Sequence, residues 1–300
     1  MTTARTRHGP GQSSTAAASR LTRPPDGSPP LLDRPAVAYW LSGALLLVTC
    51  VAAGLTFFWD GVLTGPAAMN GSGRGTALML LVLTVPVTAI AMAMTARGSA
   101  RGVVLWLGGL AVILYNAQMF LYGTPFNQLF LIYVAMLAFS LWSIVALTGR
   151  GTAGRVADRV GGAMPVRGLA VYVWVIAAAN ALLWLRTIAP AIFSDRPGSV
   201  LDGTGIATNP VFVQDLAIWL PLAAVAGVWL VRRAAWGYLL VGGLLAMWVL
   251  EGATVAVDQW FGSQADPSST VVAASMVLPL GILAAVGLVP LLLFLRNLSR

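Results

Sequence analysis

The chain has no lysine, and all 18 of its basic side chains are Arg. Chemistry that needs a Lys Schiff base, as with retinal or pyridoxal phosphate, is therefore excluded. There is one Cys, Cys50, and one His, His8. A single Cys allows no internal disulfide and no Cys-pair redox centre. His8 sits in an N-terminal tail, so no apolar segment offers a His to ligate haem or zinc or to act as a general base. No cofactor and no metal is expected. Charge of either sign is also scarce: 9% of residues carry one, against about 25% in an ordinary soluble domain.

Apolar side chains take up the difference. They make up 58% of the chain, in runs of about 20 residues, each long enough to cross a bilayer as a helix. Eight spans are expected, over roughly 36–58, 76–96, 103–122, 127–148, 169–191, 211–231, 237–260 and 271–295. A soluble chain buries one or two such runs but not eight. The expected fold is all-α, a polytopic membrane helix bundle. Residues 1–33, rich in Ser, Thr, Pro and Gly, lack the apolar content to fold alone and read as a disordered tail. The apolar run from residue 36 is too long for a cleavable signal peptide.

Arg placement orients the bundle. One set of helix ends holds 15 of the 18: five in or next to the tail, then Arg97 and Arg101, Arg150 to Arg167, Arg232 and Arg233, and finally Arg296 and Arg300. The opposite loops hold Arg74 and Arg196, and Arg186 lies within the fifth span. The excess of positive charge marks the cytoplasmic side, so both termini are expected there. Arg in place of Lys, with abundant Ala and Gly, points to a GC-rich bacterial genome and hence to a bacterial cytoplasmic membrane. Because the net charge of +8 flanks apolar spans, topology accounts for it. Nucleic acid is not expected; membrane lipid is the expected partner, and no partner subunit is legible.

The organisation reads as a tail (1–33), a first four-helix repeat (34–148), a cytoplasmic linker (149–168) and a second four-helix repeat (169–300). Gly149 to Gly154 matches G-x-G-x-x-G, but no strand precedes it, so it is a Gly-rich linker rather than a nucleotide site. Around Arg155 and Arg159 the linker reads either as a short helix on the membrane surface or as a plain loop. Asn70-Gly71-Ser72-Gly73 reads as a turn.

The two halves resemble each other. An offset of 135 residues matches Pro86 with Pro221, Arg97 with Arg232, Gly102 with Gly237 and Gly108 with Gly243. Without gaps, 80–116 against 215–251 gives 11 identities in 37 positions. Four helices per half implies a parallel duplication about an axis along the membrane normal. In this alignment Asn116 falls against Glu251.

Two stretches carry a further likeness. Tyr115-Asn116 … Phe120 … Gly123 … Phe126-Asn127 … Leu129-Phe130 … Tyr133 resembles a pattern in uncharacterised bacterial multi-spanning membrane proteins. So does Asp215-Leu216 … Leu220-Pro221 with Arg232-Arg233 … Trp236-Gly237-Tyr238. That resemblance implies fold and membrane location, with no activity attached.

Ionisable groups inside the spans are few: Arg186, Asp215 and Glu251, with Asp258 at an outer end. Polar companions are Asn116, Gln118, Asn127 and Asn180, together with Tyr115 and Tyr122. At about 1.5 Å rise per residue, all lie in the half of the membrane away from the Arg-rich ends. Each costs roughly 2.5–3.5 kcal/mol if left unpaired in lipid, so they are expected to face one another in an outward-opening polar pocket. Three functions are compatible with this. The first is a carrier or binder of a small polar solute or ion, with Glu251 or Asp215 as the binding group and Arg186 as counter-charge. The second is a non-catalytic subunit or scaffold in which Arg186 pairs with an acid and the amides bind helices together. The third is a lipid-acting enzyme using paired carboxyls as acid and base.

Overall fold

A computed structural model of the chain describes residues 31–33 and 35–299, apart from the side chain of Arg150. His8 and the expected disorder of the first 30 residues lie outside these. The helices are α1 (Pro35–Phe58), α2 (Ala67–Ala96), α3 (Ala100–Tyr122), α4 (Phe130–Leu147), α5 (Arg150–Ala157), α6 (Val166–Ile192), α7 (Pro210–Val231), α8 (Ala235–Ala265) and α9 (Ala274–Arg296). All but α5 are long and apolar enough to cross a membrane, eight in number among the described residues. Such helices satisfy their backbone groups internally, which hydrocarbon requires. The chain has the architecture of a multi-pass membrane protein.

Helices α3 and α8 cross at the centre, and α2, α4, α7 and α9 pack around them. Their contact runs through glycine. A Cβ on Gly108 would lie 2.5 Å from Ala246 Cβ and 3.1 Å from the Gly243 carbonyl oxygen. A Cβ on Gly243 would lie 2.8 Å from Leu107 Cδ2. Only residues this small let two helix backbones approach so closely.

Two boundaries differ from the expected ones. Helix α2 starts at Ala67 rather than near residue 76, and α8 continues to Ala265 rather than 260. The turn expected at Asn70–Gly73 is helical instead. Its glycines serve contact: a Cβ on Gly71 would sit 2.6 Å from the Phe261 carbonyl oxygen, and one on Gly75 would sit 2.8 Å from Asp258 Cα. Packing against α8 outweighs the poor helix propensity of Gly, which costs about 1 kcal/mol per residue relative to Ala. At 31 residues, α8 is about 46 Å long, more than the roughly 30 Å hydrocarbon core.

Both α2 and α7 contain a π-helical turn, at Leu80–Thr84 and Asp215–Trp219, ahead of Pro86 and Pro221. Proline offers no N–H and crowds the carbonyl of the turn before it, and the wider turn accommodates it. These two turns start 135 residues apart. The same spacing relates the α2–α3 and α7–α8 hairpins. Ser99 N donates to Met94 O (3.1 Å) and Ala234 N to Trp229 O (2.9 Å). Gly98 (φ 83°) and Arg233 (φ 55°) take the left-handed position at the two helix ends.

At the Arg-rich ends, the linker helix α5 packs against α8 and α3, with Ala153 and Val156 fully buried. It is more than a surface loop. Leu31 and Leu32 are buried as well, so the last residues of the expected tail belong to the packed core. Asp33 accepts from Arg155 Nη2 (2.6 Å) and Gly151 N (3.1 Å). These donors, the Arg155 guanidinium first, hold its carboxyl below the ordinary value of 3.8. The C-terminal strand of chain docks beside it. Gly161 N donates to Asn297 O (2.8 Å), Ser299 N to Arg159 O (2.9 Å) and Arg101 Nε to Leu298 O (2.9 Å).

Candidate functional site

The polar residues of the spans converge between α3, α6, α7 and α8. Glu251 lies 16 residues into α8 and Asn116 16 residues into α3, so both are about 24 Å from the Arg-rich start of their helices. Asn116 is buried, and its Nδ2 donates to Glu251 Oε2 at 2.8 Å. The same group reaches Val112 O of its own helix at 3.0 Å. The two residues that the 135-residue offset superposes thus bond directly to each other across the central crossing.

Asp215, also buried, opens the π turn of α7. Its Oδ2 accepts from Trp184 Nε1 at 2.8 Å, and the Tyr115 hydroxyl and the Asn180 side chain also hydrogen-bond this carboxyl. Phe212 braces the Trp184 ring, with centroids 5.1 Å apart. Tyr115 thus bonds Asp215 and lies within electrostatic reach of Glu251 and, last in strength, of Asp258. Asp258 Oδ1 accepts from Gln259 Nε2 at 3.1 Å. Gln259 Oε1 in turn accepts from Ala273 N at 3.1 Å and fixes the start of α9. Beside them Gln214 accepts from Trp219 Nε1 at 3.3 Å, while its own Nε2 is buried with no partner among the described residues.

The structure therefore brings together Asn116, Asn180, Asp215, Glu251 and Asp258. It leaves out three residues. Arg186 is exposed on α6, and the pairing expected between it and Glu251 or Asp215 is not formed. The ion pairs among the described residues are Arg74 with Asp60, Arg155 with Asp33 and Arg196 with Asp202, none of them involving Arg186, Asp215 or Glu251. Gln118 bonds back to Leu114 O of its own helix at 3.4 Å. Asn127 is a turn residue: it donates to Pro125 O (3.0 Å) and accepts from Leu129 N (2.9 Å) just before α4.

The sequence reading passed over Trp184 and Gln214. Trp184 follows Asn180 by one helical turn, the spacing that places two side chains on one face, but an indole inside an apolar run reads first as hydrocarbon. No group of three His, Cys, Asp or Glu among the described residues is placed to hold a metal ion. Among the cavities of the structure are two to compare with this cluster: one of about 60 Å³ lies beside Phe120, Asn127 and Tyr133. The other, of about 400 Å³, lies at the Arg-rich ends. Neither of these two is lined by Glu251 or Asp215. Compared with known proteins, the chain matches no family model, no curated protein and no solved structure.

Proposed function

We propose that this is a bacterial cytoplasmic-membrane protein that takes up a proton or a small cation at the Glu251–Asp215 cluster, as a carrier or binder. The observation that carries the reading is the pair of buried-site carboxyls Glu251 and Asp215, held by Asn116 on one side and by Trp184, Tyr115 and Asn180 on the other, neither in an ion pair among the described residues, while Arg186 is exposed. Holding a bare carboxylate in an apolar environment costs far more than binding a proton or a cation there. Intramembrane carboxyls of this kind mark ion and proton pathways. The π turn that presents Asp215 supports the same reading, because such turns recur at functional sites.

The reading includes a parallel 4+4 duplication. Its support is the sequence offset of 135 together with the matching π turns, left-handed helix ends and hydrogen-bonded hairpins. Both termini lie in the cytoplasm on this view, from the Arg distribution. The cluster then sits between the halves, the interface at which repeat-built carriers place their sites, though farther toward the outer leaflet than the midplane usual for them.

The test is reconstitution into liposomes with a trapped pH indicator. The parent and Glu251→Gln are each given an imposed gradient of protons, sodium or potassium. Gln keeps an oxygen to accept from Asn116 but neither binds a proton at that site nor carries charge. Flux in the parent that Glu251→Gln abolishes, at unchanged folding yield, supports the reading; equal behaviour of the two sinks it. A scaffold is the second reading, favoured by the Asn116–Glu251 bond that ties α3 to α8. It requires Glu251→Gln to be silent in every assay and Glu251→Ala to unfold the protein.

A further inference from the structure

The cavity of about 400 Å³ lies away from the acid cluster, between the start of α6 and the end of α7. Its lining sets two arginines, Arg167 and Arg233, beside the apolar side chains of Met164, Val166 and Val231. Met164 and Val166 are buried, whereas both arginines are exposed. Neither arginine forms an ion pair among the described residues. No side chain caps the first turn of α6.

Arg233 has a backbone that argues for retention by use. At φ 55° it is the one non-glycine residue with positive φ among the described residues. At the matching helix end of the first half, Gly98 occupies that conformation without steric conflict. Strain held at one residue, where the same turn is made elsewhere without it, marks a position serving something other than the fold.

We infer that Arg167 and Arg233 form a binding site for the phosphate group of an anion at the membrane surface. A guanidinium pair presents forked N–H donors that match phosphate oxygens. Basic pockets between membrane helices at this level take phospholipid headgroups, and the apolar side chains of the lining suit the glycerol and upper acyl region of such a lipid. Free phosphate shares the chemistry of the headgroup but has no use for those apolar side chains. The site does not depend on what the Glu251 cluster binds.

The measurement is the thermal midpoint of purified protein in an uncharged detergent, with added phosphatidylglycerol, phosphatidylcholine or inorganic phosphate. Four proteins are compared: the parent, Arg233→Gly, the double variant Arg167→Gln/Arg233→Gln, and Arg232→Gln as a neighbouring arginine outside the cavity. Phosphatidylglycerol is expected to raise the midpoint of the parent and of Arg232→Gln by several degrees more than phosphatidylcholine does. In the double variant that difference falls by at least half. Arg233→Gly is the decisive form, since it relieves the backbone: its midpoint without lipid equals or exceeds the parent's, while its response to phosphatidylglycerol is smaller. A shift reproduced by inorganic phosphate alone supports the site with free phosphate as its source. If Arg233→Gly and the double variant both keep the full phosphatidylglycerol response, the inference is overturned.

Discussion

The four spans before the linker helix α5 and the four after it differ in closure and in charge. In the first, α1 packs along α4 and completes a ring; in the second, α6 and α9 meet over only a short stretch. Every carboxyl in the spans belongs to the second half. Asp215, Glu251 and Asp258 stand where the offset of 135 puts Leu80, Asn116 and Gly123 in the first. Arg233 likewise stands against Gly98. The closed half holds the fold with apolar and neutral groups, and the open half bears the costly ones. Across the crossing, Asn116 and Tyr115 of the first half hydrogen-bond Glu251 and Asp215 of the second.

The largest expected effect comes from separating the halves at their crossing. Gly108→Leu places atoms inside the Ala246 and Met247 contacts, where even a Cβ finds 2.5 and 3.0 Å. Overpacking of this kind costs about 1–3 kcal/mol when side chains absorb it and more when backbone must move. Folding yield in detergent is expected to collapse. Gly154→Ala, in α5 with nothing within 4 Å, leaves the yield unchanged and controls for glycine loss as such. A well-folded Gly108→Leu protein shows that the halves do not depend on this contact.

Next in size is the Asn116–Glu251 bond. Glu251→Ala leaves Asn116 Nδ2 with Val112 O alone, a loss of about 1–3 kcal/mol. Glu251→Gln keeps the acceptor and stays within about 0.5 kcal/mol of the parent. Thermal melting of the two variants side by side measures how much of the inter-half contact is hydrogen bond and how much is charge. Equal destabilisation by both puts the charge itself into the fold and weakens the proton or cation reading.

Much of this comparison was legible in the sequence because it follows from one-dimensional patterns. Apolar runs of membrane length gave the helices, and the offset between Pro86 and Pro221 already superposed Asn116 on Glu251, which the structure shows in contact. What failed depended on partners in space. The helical start of α2 was hidden because Gly71, Gly73 and Gly75 favour a turn in isolation, and the packing of α8 against Gly71 and Gly75 makes the helix the better state. Arg186 was expected beside an acid because charges in a span seek each other. Its distance along α6 says nothing about the direction in which it leaves the helix. Gln118 and Asn127 shared the right depth but satisfy themselves locally, as amides readily do.

A smaller effect separates the two hairpin turns. Arg233→Gly removes the side-chain clash of the left-handed conformation and is expected to stabilise by about 1 kcal/mol. Gly98→Ala, at φ 83°, destabilises by a similar amount. Opposite signs at matching positions are the outcome expected of one turn built twice, once with its natural residue and once without. The same sign from both substitutions means that the turns are held differently despite their shared hydrogen bonds.

The smallest effect concerns how each half is tied to the linker between them. The first half enters through Asp33, whose carboxylate is held by Arg155; the second leaves through Leu298, held by Arg101 Nε, and Ser299, whose N and Oγ both donate to Arg159 O. Only the first tie titrates. Because its folded value lies below 3.8, the Asp33 contribution is complete above the unfolded value and disappears as pH falls through the lower folded one. Asp33→Asn is therefore expected to melt slightly below the parent near neutrality, by less than a buried pair would give, since both side chains are partly exposed. The gap closes well below pH 3.8, where the parent's own carboxyl is protonated. Ser299→Ala, which touches only the C-terminal tie, keeps the same small deficit at both pH values. A gap for Asp33→Asn that persists in acid assigns its effect to the Gly151 and Thr152 contacts of the chain rather than to charge, and the two ties are then alike in kind.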